Sequence, residues 1–252
     1  MTYCLSLYCR EGLVFLSDSR SNAGMDNINV HPKMHIFEQP GERVIVLQSS
    51  GNLSLTHSAL ALIEEDIVLA RAKPEHPCLL NQPTLFETAR YVGHKIREVD
   101  KAERAALEKD EFRFNIHFLV GGQIRDLPHQ IYYVYPQGNT IHASEDSPFL
   151  QIGESKYGKP ILDRGFKFTS TLGEATRYGV VSMDSTMKSN VSVGPPIDVF
   201  CYKVDSLRAL HRVRLNEGDP YLADLRTRWS QGLKDLVTII PELPFPEIEE
   251  AN

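Results

Sequence analysis

The order in which two periodicities arrive constrains this chain most. Residues 3–8, Tyr3-Cys4-Leu5-Ser6-Leu7-Tyr8, alternate in the period of a half-buried strand, and Arg10-Glu11-Gly12 reads as a hairpin turn into a second strand over 13–19. A loop and a turn at Pro40-Gly41 connect further strands at 33–37 and 43–49, so the N-terminal quarter predicts a β-meander. Ser50-Gly51-Asn52 then opens an apolar-rich helical stretch reaching about residue 72. Three prolines between 74 and 83 interrupt it, and helical spacing resumes over 85–108, which predicts a helical hairpin. Strand patterns return at 112–120, where a second sheet is expected to start, and at 130–135 and 149–153. Helices are expected at 159–164 and 170–188, strands at 197–204 and 212–215, and a last helix at 220–236.

Blocks of strands segregated from blocks of helices argue for an α+β chain. Two sheets with a helix pair on each outer side make a four-layer αββα sandwich. Interleaved βαβ units are lacking, which disfavours a Rossmann-like fold. With no Pro/Gly/Ser linker, 1–252 is expected to be a single domain carrying a Pro/Glu-rich C-terminal tail at 237–252.

Charge and composition remove several functions. With 27 Lys+Arg against 33 Asp+Glu, a net charge of −6 and no basic run, nucleic acid is excluded as a partner. The apolar stretch at 59–70 is broken by Glu64, Glu65 and Asp66, too short for a membrane span. Cys4, Cys9, Cys78 and Cys201 form no CxxC pair and follow no signal peptide, pointing to reduced thiols, buried as small hydrophobes, in a cytoplasm. The close histidines, His31 and His35, flank Pro32 at a loop-to-strand junction, so neither a metal nor any other cofactor is expected. GxSxG, P-loop, GxGxxG and HExxH signatures are all missing.

What remains is Thr2 at the start of one strand, Asp18 at the end of the next and Lys33 just before the third, a set able to converge at one sheet edge. With Met1 removed, Thr2 carries both a hydroxyl and a free α-amine of pKa about 7.7–8.0, so nucleophile and base share one residue. Lys33 supplies positive charge that lowers the pKa of both Thr2 groups, and Asp18 keeps Lys33 charged and oriented. Taken singly, Thr2 is only the residue after Met1, Asp18 a turn former in Ser-Asp-Ser and Lys33 a solvated charge. Gly51 is either a helix-entry glycine or an exposed N–H for an oxyanion.

Thr2, Leu16-Ser17-Asp18-Ser19-Arg20, Lys33 and Ser49-Ser50-Gly51, in this order and spacing, resemble the proteasome β-subunit family of N-terminal nucleophile hydrolases. Within it, Met1-Thr2-Tyr3-Cys4-Leu5 and Val30-His31-Pro32-Lys33-Met34 are similar to the bacterial proteasome-like Anbu (ancestral β-subunit) proteins, and the resemblance spans essentially the whole chain. It implies a threonine peptidase in which Thr2 attacks, Asp18 and Lys33 assist and the Gly51 N–H holds the oxyanion. It also implies supporting roles for Ser155, Asp184 and Ser189, with two departures: Glu154 stands where the family places its serine, and Asp184 and Ser189 are five residues apart rather than three. A carboxylate at 154 would raise the pKa of the Thr2 amine or bind an incoming cation.

The partners implied are a peptide or unfolded-protein substrate and further copies of the chain in a homo-oligomeric ring or open ring-like helix, with an ATP-dependent unfoldase left open. Two alternatives stand beside the peptidase: a weakly active or inactive assembly or peptide-binding protein, and an amidase of small molecules using the same nucleophile.

Overall fold

The computed structural model describes residues 2–22, 28–109 and 113–244. In chain order the strands are β1 (Tyr3–Cys9), β2 (Gly12–Asp18), β3 (Arg20–Asn22), β4 (Ile28–Val30), β5 (Met34–Gln39) and β6 (Arg43–Gly51), followed by helices α1 (Leu53–Ala72) and α2 (Leu85–Lys109). Then come β7 (Ile116–Ile124), β8 (Gln130–Val134), β9 (Thr140–His142), β10 (Phe149–Gly153), α3 (Lys159–Gly165), α4 (Leu172–Ser189), β11 (Ile197–Lys203), β12 (His211–Leu215) and α5 (Pro220–Thr238). The chain divides into two compact units, residues 1–217 and residues 218–252. The first holds every described strand and α1–α4; the second holds α5, whose N-cap Asp219 accepts the Tyr221 N–H and which ends one residue past the start of the expected tail.

Two antiparallel five-stranded sheets form the centre of the first unit, ordered β10-β1-β2-β11-β12 and β5-β6-β7-β8-β9. Helices α1 and α2 cover the second sheet and α4, paired with α3, covers the first, giving the four-layer αββα sandwich. Strand β6 explains the layering. Its run Val44-Ile45-Val46-Leu47 is apolar without alternation, as a strand buried on both faces must be. Val44 and Val46 join Leu13, Phe15, Ile131 and Phe200 between the sheets, and Ile45 and Leu47 face Leu60, Ile63, Val92 and Ile96 on the helices.

The expected N-terminal meander is corrected. β1 and β2 belong to one sheet, β5 and β6 to the other, and the β3–β4 ribbon lies in neither. Alternation marks a strand but not its partner: β2 pairs with β11, some 180 residues downstream, and that long-range pairing draws the first hairpin out of the meander. The second sheet therefore starts at β5 rather than at residue 112, and β7 joins it from Ile116 to Ile124. β7 runs through Gly121 because a side chain there would lie 2.7 Å from the Phe15 ring. The segment 110–112, where that strand was expected to begin, lies outside the described residues.

Burial pushes the His35, His117 and His129 imidazoles below their ordinary range, a hydrogen bond to the Cys9 carbonyl opposing the shift at His129. The unfolded chain, with histidines near pKa 6.5, therefore binds more protons than the fold in mildly acidic solution, so stability is complete above about pH 6.5 and falls as pH drops through the folded values. The melting temperature is expected to be lower at pH 5.5 than at 7.5. An equal or higher melting temperature at 5.5 would contradict the sign.

Candidate active site

Thr2 is held through its backbone. Its carbonyl accepts the Glu154 N–H at 2.7 Å, Tyr3 pairs with Gly153 in the β1–β10 ladder, and the Tyr3 N–H donates to Asp18 Oδ1 at 3.0 Å. The Tyr3 ring is anchored on the outer face of the sheet, where its hydroxyl meets Ser182 Oγ and receives the Gln151 amide. Gly153 is obligatory for this seat. Its φ is +86°, and a Cβ on it would fall 1.9 Å from the Thr2 carbonyl oxygen, so even alanine must drive β10 away from Thr2. Gly153→Ala is expected to lose at least about 1–3 kcal/mol in a denaturant titration, the scale of a strained non-glycine residue. Gly232→Ala, inside α5 with open space around it, is expected to gain up to about 1 kcal/mol. Equal effects at the two positions would contradict the packing argument.

Behind Thr2 lies a buried ion pair. Lys33 Nζ donates to Asp18 Oδ1 at 2.8 Å and to the Arg20 carbonyl at 2.6 Å, Lys33 being 5% exposed and Asp18 0%. One carboxylate oxygen thus receives both the Tyr3 amide and the Lys33 ammonium. An ammonium carries three N–H bonds, and the two contacts use two of them. Burial raises the Asp18 carboxyl above its usual range, against the pull of Lys33 and the Tyr3 N–H, so the ammonium is what keeps a carboxylate tolerable here. Lys33 is set by β6, since its carbonyl accepts the Ser49 N–H at 3.0 Å. Gln48, next to Ser49, ties the sheets together: it accepts from Ser6 Oγ and donates to the Leu16 carbonyl, both at 2.7 Å.

In front of Thr2 opens a cleft of about 810 Å³ between the ends of the two sheets, whose walls include Thr2, Gly51 and Ser155. Gly51 has φ +113°, and a Cβ there would sit 2.3 Å from the Asn115 carbonyl, so the strand end and β7 meet backbone to backbone. The neighbouring Asn52 N–H donates to that same carbonyl while the Asn52 side chain caps α1.

The seven residues expected from the sequence fall into three places. Thr2, Gly51 and Ser155 line the cleft, and Asp18 and Lys33 form the pair beneath it. Asp184 is buried on α4 and Ser189 is exposed at the end of that helix; neither is among the cleft-lining residues. Glu154 turns toward Asn190, whose amide donates to it at 2.9 Å, and Lys156 lies 3.6 Å from its other oxygen. Asn190 thus stands one residue past Ser189, and no spacing in the sequence marks it. The sequence reading also missed His31, Asn115, His117 and Tyr133 in the cleft wall. The alternation of β7 was the usable signal, since it puts His117 on the face of Leu119, which packs against Cys4 and Ile152 of the opposite sheet. All four cysteines are free, and burial raises the Cys4 and Cys9 thiols, which marks them as packing groups.

No protein-family model and no curated protein matches the chain. Solved structures do. Anbu (ancestral beta-subunit) from Yersinia bercovieri is 40% identical, covering 97% of this chain and 100% of its own, with a TM-score of 0.89. A structure described as the helical assembly of the Anbu complex from Pseudomonas aeruginosa is 42% identical over 96% of this chain and 98% of its own, with a TM-score of 0.89. An Anbu Gly-1 mutant from Hyphomicrobium sp. strain MC1 is 39% identical over 97% and 100%, with a TM-score of 0.90. With identity of this order over nearly the full length and the same layered fold, the chain belongs to the Anbu (ancestral β-subunit) family, a proteasome β-subunit-like family.

Proposed function

We propose that this protein is a threonine-type hydrolase of amide bonds, acting on peptides with Thr2 as nucleophile. The observation that carries the reading is the single oxygen of buried Asp18 that grips both the Tyr3 amide and the Lys33 ammonium, immediately behind a residue facing an open cleft. A buried ion pair is costly to build, and one placed at the base of a cleft is a strong functional indicator.

In this reading, removal of Met1 frees the Thr2 α-amine. The amine takes the proton of the Thr2 hydroxyl as Oγ attacks the amide carbon, and the remaining Lys33 N–H and positive charge stabilise the developing alkoxide. The carbonyl oxygen becomes an oxyanion held by the Gly51 N–H. The C–N bond breaks, the leaving amine takes the proton from the Thr2 ammonium, and the acyl group stays on Oγ as an ester. Water, deprotonated by the same amine, hydrolyses it and restores Thr2.

The helical assembly of the Pseudomonas aeruginosa relative supports a homo-oligomer here too, and the four free cysteines of this chain fit a reducing cytoplasm. Among the described residues no helix is long and apolar enough to cross a membrane. The test is incubation of the processed protein with a library of peptides and simple acyl-amides, reading new α-amines. Release of new amines supports the hydrolase. Complete inertness of protein lacking Met1 contradicts it and favours a chain that assembles or binds peptides without cleaving them.

A further inference from the structure

Opposite Thr2, the wall of the cleft carries an ordered chain of hydrogen bonds that the chemistry above does not use. His117 on β7 and Tyr133 on β8 both line the cleft, and the β7–β8 register places them on the same face, diagonal to one another through the Leu119–Tyr133 pair. His117 Nε2 is 2.8 Å from Asn115 Oδ1, and His117 Nδ1 is 2.7 Å from the Tyr133 hydroxyl. The Tyr133 ring is fixed by stacking on Tyr135 at 4.2 Å between centroids. The Asn115 backbone is held beside the cleft, since its carbonyl takes the Asn52 N–H next to Gly51.

These contacts have a direction. Asn115 Oδ1 can only accept, so the proton of the imidazole sits on Nε2, and burial holds the ring neutral. Nδ1 is then a bare acceptor and the Tyr133 O–H must donate to it; burial raises the phenol, which keeps that proton in place. With its one proton committed inward, the Tyr133 oxygen offers only lone pairs to whatever lies in the cleft. No Asp, Glu, Lys or Arg side chain is among the described residues of the cleft wall, so this wall itself carries no formal charge.

We propose that Tyr133, oriented by His117, is a specificity-determining acceptor that selects substrates presenting a neutral N–H or O–H donor at this wall, carboxamide side chains above all, and turns carboxylates away. This rests on the reading of the Thr2 cleft as the substrate site. A carboxylate there would set lone pair against lone pair in a partly desolvated cleft, whereas a carboxamide of the same shape satisfies the phenol oxygen. His117 is a positioning residue in this scheme and Tyr133 the one in contact.

The test separates this inference from the hydrolase reading by measuring binding instead of turnover. Hexapeptide sets identical except for Gln, Glu or Met at each position are titrated against the full chain carrying Thr2→Ala, with and without Tyr133→Phe or His117→Ala. At one peptide position the Gln form is expected to bind about tenfold tighter than the Glu and Met forms, the scale of one net neutral hydrogen bond made or lost. In Tyr133→Phe, which keeps the ring and its stack, that ratio is expected to fall below about twofold, and His117→Ala is expected to shrink it too. A purely structural role would weaken all three peptides alike and leave the ratio intact. A ratio unchanged by Tyr133→Phe, a parent without any Gln preference, or no peptide binding at all overturns the inference. Covalent labelling of Thr2 in the native chain, followed in parallel, reports on the hydrolase reading whichever way the ratios fall.

Discussion

Thr2→Ala is expected to abolish amide hydrolysis and all acylation by electrophiles, a loss on the order of 10⁶-fold in turnover, while leaving the fold and its oligomeric state unchanged. The size follows from what the side chain does. Oγ is the only atom that forms a bond to the substrate in this reading, and the nearby Cys4 thiol cannot replace it, being buried with a raised pKa. The stability of the variant follows from how Thr2 is held. Its fixed contacts run through the carbonyl to Glu154 and through the next amide to Asp18, and alanine keeps both. Residual turnover within tenfold of the native chain would place the nucleophile elsewhere.

Lys33→Ala carries the second-largest effect, and it acts on stability and reactivity together. Removing the ammonium leaves Asp18 buried at 0% exposure without its counter-charge, which costs about 3–5 kcal/mol for a broken buried pair. The rate of Thr2 acylation is expected to fall by more than about tenfold, the scale of a lost charge or proton-transfer partner. Lys33→Arg keeps the charge but cannot fit the compact site between Asp18 and the Arg20 carbonyl, so it is expected to recover part of the stability and little of the rate. Asp18→Asn should slow acylation as well, because the ammonium then loses its charged anchor. Unchanged labelling rates in both Lys33→Ala and Asp18→Asn would remove the ion pair from the account.

Much of this site is legible in the sequence because it is local to strand ends. Thr2, Asp18, Lys33 and Gly51 each lie where a strand-like segment begins or stops, and antiparallel pairing brings such ends together. The layers are legible for the same reason, in that strand and helix periods come in separate blocks. Sheet membership is not, because nothing within β2 or β5 marks its partner strand and only the distant β11 claims the first. Glu154 shows the limit most clearly. Its oxygens meet Asn190 and Lys156, a pairing set by where α4 ends and one that no spacing in the sequence marks. His117 and Tyr133 were hidden because a polar residue on a strand reads as solvent-facing, and here the sheet face it occupies opens onto a cleft.

The central claim is that Thr2 is an exposed nucleophile activated by the buried pair behind it. A peptide-resolved mass spectrum of the purified protein, before and after exposure to a β-lactone that acylates activated N-terminal threonines, tests it directly. The account predicts a chain lacking Met1 and a single adduct on Thr2. A chain that lacks Met1 and leaves Thr2 unlabelled would contradict it.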